Sequence, residues 1–204
     1  MTQPSPEAFD ARALEILRSG GIVVLPTDTV YGLHAALSRP EAIVRIARLK
    51  GPREGRRYVL LADSVAMVAR YTASFGCLSR AALARRWPAP VTVVLPAGDA
   101  CPEWARPTVA FRVPDLAPLR ALIRSLREPL VSTSVNAPGE PPLATVADIA
   151  RRFGAAVDLV VAGEETRRAR ASTIVDACGE APVVLRAGDY AWAEETGGAS
   201  NPSK

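Results

Sequence analysis

The sequence predicts an α/β fold built on one twisted, mixed sheet. Three features carry that reading: many short apolar runs that suit strands, helical apolar spacings set between them, and a length of 204 residues, enough for one sizeable domain and short of two. Residues 5–18 read as a helix, with Phe9, Ala13, Leu14, Ile16 and Leu17 at near-helical spacing and Gly20-Gly21 ending it. Residues 22–25 form a short strand. Ser38-Arg39-Pro40-Glu41 has the S-x-x-E capping-box pattern with proline inside the first turn, and the helix it opens carries Ile43, Ile46, Ala47 and Leu49. That helix must stop by Gly51-Pro52, which puts Lys50 at its C-terminal edge, where a cation is favoured. Residues 58–62 are a strand, and Asp63 or Ser64 caps a helix reaching about Tyr71. Residues 79–87 form a helix broken by "PAP". Strands follow at 91–95 and 108–113, an amphipathic helix at 116–127, and a strand at 129–133 leading into the long loop "SVNAPGEPPLA". A helix at 145–153, a strand at 159–162 and the strands "STIVDA" and "PVVLRAG" complete the domain, assigned to residues 1–190. Residues 191–204 are small and polar and are expected to be a disordered tail.

Composition narrows the chemistry. The chain is 49% apolar and 23% charged, as in soluble globular proteins, and no apolar run approaches the roughly 20 residues of a membrane span. The N-terminal "MTQPSPEAFD" has neither basic flank nor apolar core, so no secretory signal is read there and a cytoplasmic location is expected. Cys77, Cys101 and Cys178 lack metal-ligand spacing and are expected to be reduced, buried thiols. His34 is the only histidine, which leaves little material for a zinc site or a Ser-His-Asp triad; it reads as a loop residue. Net charge is +4, and of 25 basic residues only Lys50 and Lys204 are lysine. An interior lysine in so arginine-rich a chain is either an exposed leftover or a site that needs a compact ammonium on a flexible stem.

Polar and basic residues gather where strands end. In "VVLPTDTVYGL" an apolar run stops at proline and gives way to Thr27, Asp28, Thr29 and Tyr31. Thr108 and Arg112 flank "VAF"; Ser132, Ser134 and Asn136 follow "PLV"; Ser172 and Thr173 open one strand and Arg186 closes another. Each cluster alone suits a turn or a cap. Together they suit a pocket, because ligands in open α/β sheets sit at strand ends. Asp28 more readily caps the turn after it than binds a metal.

The ordered set "LPTDTVYGL", "ARLKGPR", "WPAPVTVVLPA", "TVAFRVPD", "STSVNAPGEPP", "STIVDA" and "VVLRAG" resembles the YrdC-like threonylcarbamoyl-adenylate synthases across roughly residues 7 to 190. The resemblance implies a YrdC-like domain with helices packed on the sheet around a basic cleft. It implies a nucleotidyltransferase that joins L-threonine, bicarbonate and ATP into threonylcarbamoyl-adenylate and releases pyrophosphate. The product passes to partner proteins that modify adenosine in tRNA. Mg²⁺ would accompany ATP, with no protein side chain as metal ligand. By the family's motifs, Thr29, Tyr31, Arg112, Ser132 and Ser172 would hold threonine. Lys50, Arg53, Thr108, Ser134, Asn136 and Arg186 would serve ATP, with Lys50 and Arg53 closest to the chemistry. No step needs a protein nucleophile; alignment and preorganised charge suffice.

The chain departs from the family in one segment. A lysine-x-arginine pattern becomes Lys50-Gly51-Pro52-Arg53, and "PREGRR" replaces part of a substrate-covering loop, so Arg56 or Arg57 competes with Arg53 for its role. A histidine that some members carry on the next strand is missing from "VLLA", with Leu61 near its place, and His34 stands where the family has a small residue. These departures leave room for a diverged paralogue using another amine. A non-catalytic RNA-binding or ribosome-associated module, touching RNA through its basic surface, is the alternative of another class. Aromatics at 5% give such a module few stacking platforms. A carbamoyl-phosphate-using enzyme is a third, whose large members carry additional domains.

Overall fold

The computed structural model describes residues 6–51, 58–163 and 170–193. It contains α1 (Pro6–Arg18), β1 (Val23–Leu25), β2 (Gly32–Ala36), α2 (Pro40–Leu49), β3 (Val59–Leu61), α3 (Val65–Ala69), α4 (Arg80–Arg86), β4 (Val91–Pro96), β5 (Thr108–Arg112), α5 (Ala117–Leu126), β6 (Leu130–Ser134), α6 (Val146–Phe153), β7 (Leu159–Val160), β8 (Thr173–Asp176) and β9 (Val183–Arg186). All nine strands join one mixed sheet in the order β7-β1-β2-β6-β3-β5-β4-β8-β9. The α/β expectation therefore holds. No helix among the described residues is long and apolar enough to cross a membrane.

The centre of the sheet is fixed by antiparallel pairing of β6 with β2 on one side and β3 on the other, and by parallel pairing of β3 with β5. Register sets His34 opposite Ser132, Ser132 opposite Val59, and Val59 opposite Ala110. Because side chains alternate along a strand, these residues share a face with Gly32, Ser134, Thr108 and Arg112. One hydrophobic cluster joins Ala13 and Leu17 of α1, Ile43 and Ile46 of α2, and Leu119, Leu122 and Ile123 of α5 to Val24, Leu33, Leu60 and Val131 of the sheet. Leu14 and Ile16 of α1 and Leu49 of α2 pack against the same core, as their spacing implies, while Ala47 of α2 is exposed.

Three local expectations need correction. Ser38 does not cap α2: Arg39 is the N-cap residue and makes no side-chain cap bond. Both the backbone N–H and the hydroxyl of Ser38 donate instead to the carboxylate of Glu128, at 2.7 and 2.8 Å, a charged acceptor that outcompetes a helix end. Second, β2 was not read as a strand. All five of its residues are buried, so it lacks the alternation that marks a half-exposed strand. His34 is accordingly a strand residue, fully buried, and not a loop histidine. Third, Cys101 is buried but Cys77 and Cys178 are only partly so; all three are free thiols.

His34 makes stability depend on pH. Burial, then the positive field of Arg112, lower its pKa to about 3 from the usual 6.5, with the Leu25 backbone pulling the other way. An unfolded chain takes up a proton below pH 6.5 that the folded chain refuses until about pH 3. Stability from the neutral imidazole is thus fully present above pH 6.5 and is lost as pH falls through that window. Urea unfolding at pH 4.5 against pH 7 should show wild type losing about 2–3 kcal/mol more than His34→Leu. Equal losses in the two proteins would mean that His34 is protonated when folded.

Candidate active site

A cavity of about 810 Å³ opens on the sheet face that carries Gly32, Val59, Ser132 and Arg112. Nine of the eleven site residues expected from sequence line it: Thr29, Tyr31, Lys50, Arg112, Ser132, Ser134, Asn136, Ser172 and Arg186. Thr108 does not line it; it stands four residues before Arg112 at the start of β5. Arg53, with the whole 52–57 segment expected to cover the substrate, lies outside the described residues, as do positions 194–204 of the expected tail. Lys50, Arg112 and Arg186 line the cavity, and no carboxylate is among its described lining residues. It is a site for anions.

Arg112 closes β5 and is 6% exposed. Its Nη1 donates to Thr29 Oγ1 at 2.8 Å, and Nη2 lies 3.5 Å from Asp28 Oδ1, close enough for an ion pair but not aligned as a hydrogen bond. Its Nε has no hydrogen-bond partner. Burial lowers the Arg112 pKa from the ordinary arginine value, the Asp28 carboxylate opposes that shift, and Arg186 adds to it. An arginine so placed stays cationic at neutral pH. Asp28 corrects its sequence reading. It neither caps its own turn nor faces a metal cluster; its Oδ2 accepts the Asp115 N–H at 3.0 Å, 87 residues away. The turn is made by Thr27, whose Oγ1 donates to the Val30 carbonyl at 2.7 Å and accepts the Thr29 N–H at 3.1 Å. Tyr31 is buried; its hydroxyl accepts the Gly163 N–H at 3.1 Å and meets the Gly163 carbonyl at 3.3 Å.

Lys50 is the C-cap residue of α2 and is 6% exposed, so it is no surface leftover. Its Nζ donates to the carbonyls of Ser134 at 3.0 Å and Asn136 at 2.8 Å, and to Asn136 Oδ1 at 2.5 Å. The Ser134 hydroxyl also donates to Asn136 Oδ1, at 2.6 Å, while Asn136 Nδ2 donates to the Glu140 carbonyl at 2.6 Å. These contacts fix the amide orientation, since an ammonium needs an oxygen and a carbonyl needs a donor. Ser132 lies within β6, as the strand expected at 129–133 has it, and β6 runs one residue further to include Ser134. On the far wall Arg186 donates through Nη2 and Nε to the Ser172 carbonyl, at 2.8 and 3.2 Å. Desolvation lowers its pKa. Ser172 Oγ shares a 2.9 Å hydrogen bond with Thr92, a fully buried threonine that the sequence reading missed. Its signal was a hydroxyl inside the apolar run "VTVVL".

Among the described residues no group of three or more His, Cys, Asp or Glu could hold a metal ion. The site offers hydroxyls, an amide and three cations. That set can bind and align carboxylate and phosphate groups, and it supplies neither a nucleophile–base pair nor a Lewis acid of its own.

Comparison with known proteins agrees with this geometry. A 41%-identical relative is the threonylcarbamoyl-AMP synthase of Thiobacillus denitrificans, matched over 163 residues, 78% of this chain and 86% of that protein. The structure of P. abyssi Sua5 complexed with L-threonine superposes with a TM-score of 0.82 at 29% identity, covering 92% of this chain and 56% of that one. Escherichia coli YciO superposes with a TM-score of 0.80 at 27% identity, covering 92% of both chains. The profile of the Sua5/YciO/YrdC family, described as "Telomere recombination", matches residues 15–188, and the chain belongs to that family.

Proposed function

We propose that this chain is a threonylcarbamoyl-AMP synthase that acts in the cytoplasm on L-threonine, bicarbonate and ATP. The observation that carries the reading is the convergence of nine expected ligand-contacting residues on one cavity whose described lining includes three cations and no carboxylate. The product is passed to partner proteins that place the threonylcarbamoyl group on adenosine in tRNA. The catalytic domain is taken as residues 1–190.

Arg112 receives the threonine carboxylate; its unengaged Nε and the adjacent Nη2, which meets Asp28 only as an ion pair, offer a fork of the right width, while Nη1 stays on Thr29. Thr29, Tyr31, Ser132 and Ser172 surround the rest of the amino acid. The threonine amine attacks carbon dioxide or bicarbonate to give a carbamate, a carbamate oxygen then attacks the α-phosphorus, and pyrophosphate leaves. The Lys50 ammonium, on its flexible stem, exchanges the Ser134 and Asn136 oxygens for phosphate oxygens. Arg186 faces the same charge, and Arg53 is assigned the same role toward ATP. Thr108 shares a face of β5 with Arg112 about 13 Å along the strand, a span that suits the nucleoside end of ATP. Mg²⁺ would enter with the nucleotide as part of the substrate, where it would offset part of the phosphate charge.

Purified protein should release pyrophosphate from ATP only with L-threonine, bicarbonate and Mg²⁺ present. Serine should be used less well, since a pocket fitted to the β-methyl loses about 1 kcal/mol without it. Better turnover with serine or glycine would refute the substrate assignment.

Lys50→Ala should lower kcat by a factor corresponding to about 2–4 kcal/mol. Arg48→Ala, which removes an exposed cation from the same helix, should change little. Equal kinetics of the two variants would remove Lys50 from the chemistry. Arg112→Lys keeps the charge and loses the paired donors. It should raise the threonine KM about tenfold and move the ATP KM far less. The reverse pattern would put Arg112 on the nucleotide.

A further inference from the structure

His34 lies directly beneath the cavity and takes no part in the mechanism above. Neither of its ring nitrogens makes a well-formed hydrogen bond among the described residues, although the residue is fully buried; the Leu25 backbone is close enough only to oppose the fall in its pKa. A buried imidazole left so is costly and calls for an explanation. Its surroundings supply one. His34 is directly opposite Ser132 in the antiparallel β2–β6 pair, on the cavity face of the sheet. The ring leans toward Gly32: a Cβ on Gly32 would come within 2.6 Å of His34 Nε2 and 3.3 Å of Ser132 Oγ. Only glycine at position 32 leaves this space open, and Gly32 and Ser132 both line the cavity. The Ser132 hydroxyl makes no hydrogen bond among the described residues. Two polar groups with unspent capacity thus flank the same gap, one facing the ligand and one behind it.

We infer that His34 is a positioning residue for the amino-acid substrate: when ligand binds, its Nε2 accepts a hydrogen bond from the Ser132 hydroxyl, a bond not made in this structure, and so turns the Ser132 lone pairs toward the bound ligand. The inference rests on the threonine reading above. With the carboxylate held by Arg112, the remaining polar groups of threonine are an amine and a hydroxyl, both of which can donate. An outward-facing acceptor suits them, and a hydroxyl free to rotate presents one only part of the time. A neutral imidazole is the group that can do this beside Arg112, since a second cation at that depth would repel the guanidinium and the substrate amine alike.

The test is calorimetric binding of L-threonine to the full chain carrying His34→Gln, His34→Asn, His34→Leu and Ser132→Ala, singly and in pairs with Ser132→Ala, alongside ATP binding and Tm. The Gln amide reaches the Nε2 position; the Asn amide stops short of it. His34→Leu and His34→Asn should each weaken threonine binding about tenfold while ATP affinity stays within about twofold, as expected when one buried hydrogen bond is lost. His34→Gln should recover most of the loss. In the Ser132→Ala background none of the three should matter further. Should His34→Leu not fold, the Asn–Gln contrast carries the same comparison. Wild-type affinity in His34→Asn, equal weakening by Asn and Gln, or an undiminished effect after Ser132→Ala would each overturn the inference and leave His34 as packing. A wild-type chain that binds ATP but no L-threonine would instead overturn the substrate reading, which separates the two failures.

Discussion

A guanidinium that is almost wholly out of water must be matched by charge and hydrogen bonds, and the rest of the site is arranged around the one at Arg112. Its Coulomb partner Asp28 and its hydrogen-bond partner Thr29 both come from the segment between β1 and β2. Asp28 in turn holds the backbone of Asp115, just beyond β5. The pair therefore ties the first loop of the domain to the end of a strand in the middle of the sheet. Removing one member would leave the other charge buried and alone, a loss of about 3–5 kcal/mol in comparable pairs. The residue best suited to read a carboxylate is also what holds the loop carrying Thr29 and Tyr31 in shape.

The same economy appears on the other walls. Ser134, Asn136 and Lys50 form a closed set of hydrogen bonds that extends to Glu140, and Thr92, Ser172 and Arg186 form another. Such networks hold ligand-facing groups in place before the ligand arrives, so less conformational freedom is lost when it binds. They also place the site on strands β5 and β6 and on the end of α2, elements whose positions the core already fixes, and on β9, an exposed strand at the sheet edge.

Much of this was legible in the sequence, for physical reasons that differ by residue. Helices α2, α5 and α6 carry apolar residues at helical spacing, a local signal. Lys50 stood out by composition, and Arg112, Ser132 and Arg186 by their place at strand ends in a recognisable motif order. What escaped detection depends on distant partners. Strand β2 is buried on both faces, so its pattern carries no alternation, and His34 within it could be placed only once β1 and β6 were known to flank it. The capping box at Ser38 failed because Glu128, 90 residues away, offers a stronger acceptor. Asp28 looked like a turn former because nothing nearby announces Arg112 and Asp115 as its partners.

The absence of carboxylates among the described lining residues has a consequence for what happens after chemistry. Substrates bring a triphosphate and two further anions to Lys50, Arg112 and Arg186, more than enough negative charge to offset these cations. Once pyrophosphate departs, most of that negative charge goes with it. The adenylate left behind carries a carboxylate and a single phosphate charge, too little to quiet the repulsion among Lys50, Arg112 and Arg186. The cavity is thus built to grip a highly charged beginning and to loosen on a weakly charged end, which turns the departure of one product into a push on the other and favours early hand-off of a mixed anhydride that water would otherwise destroy.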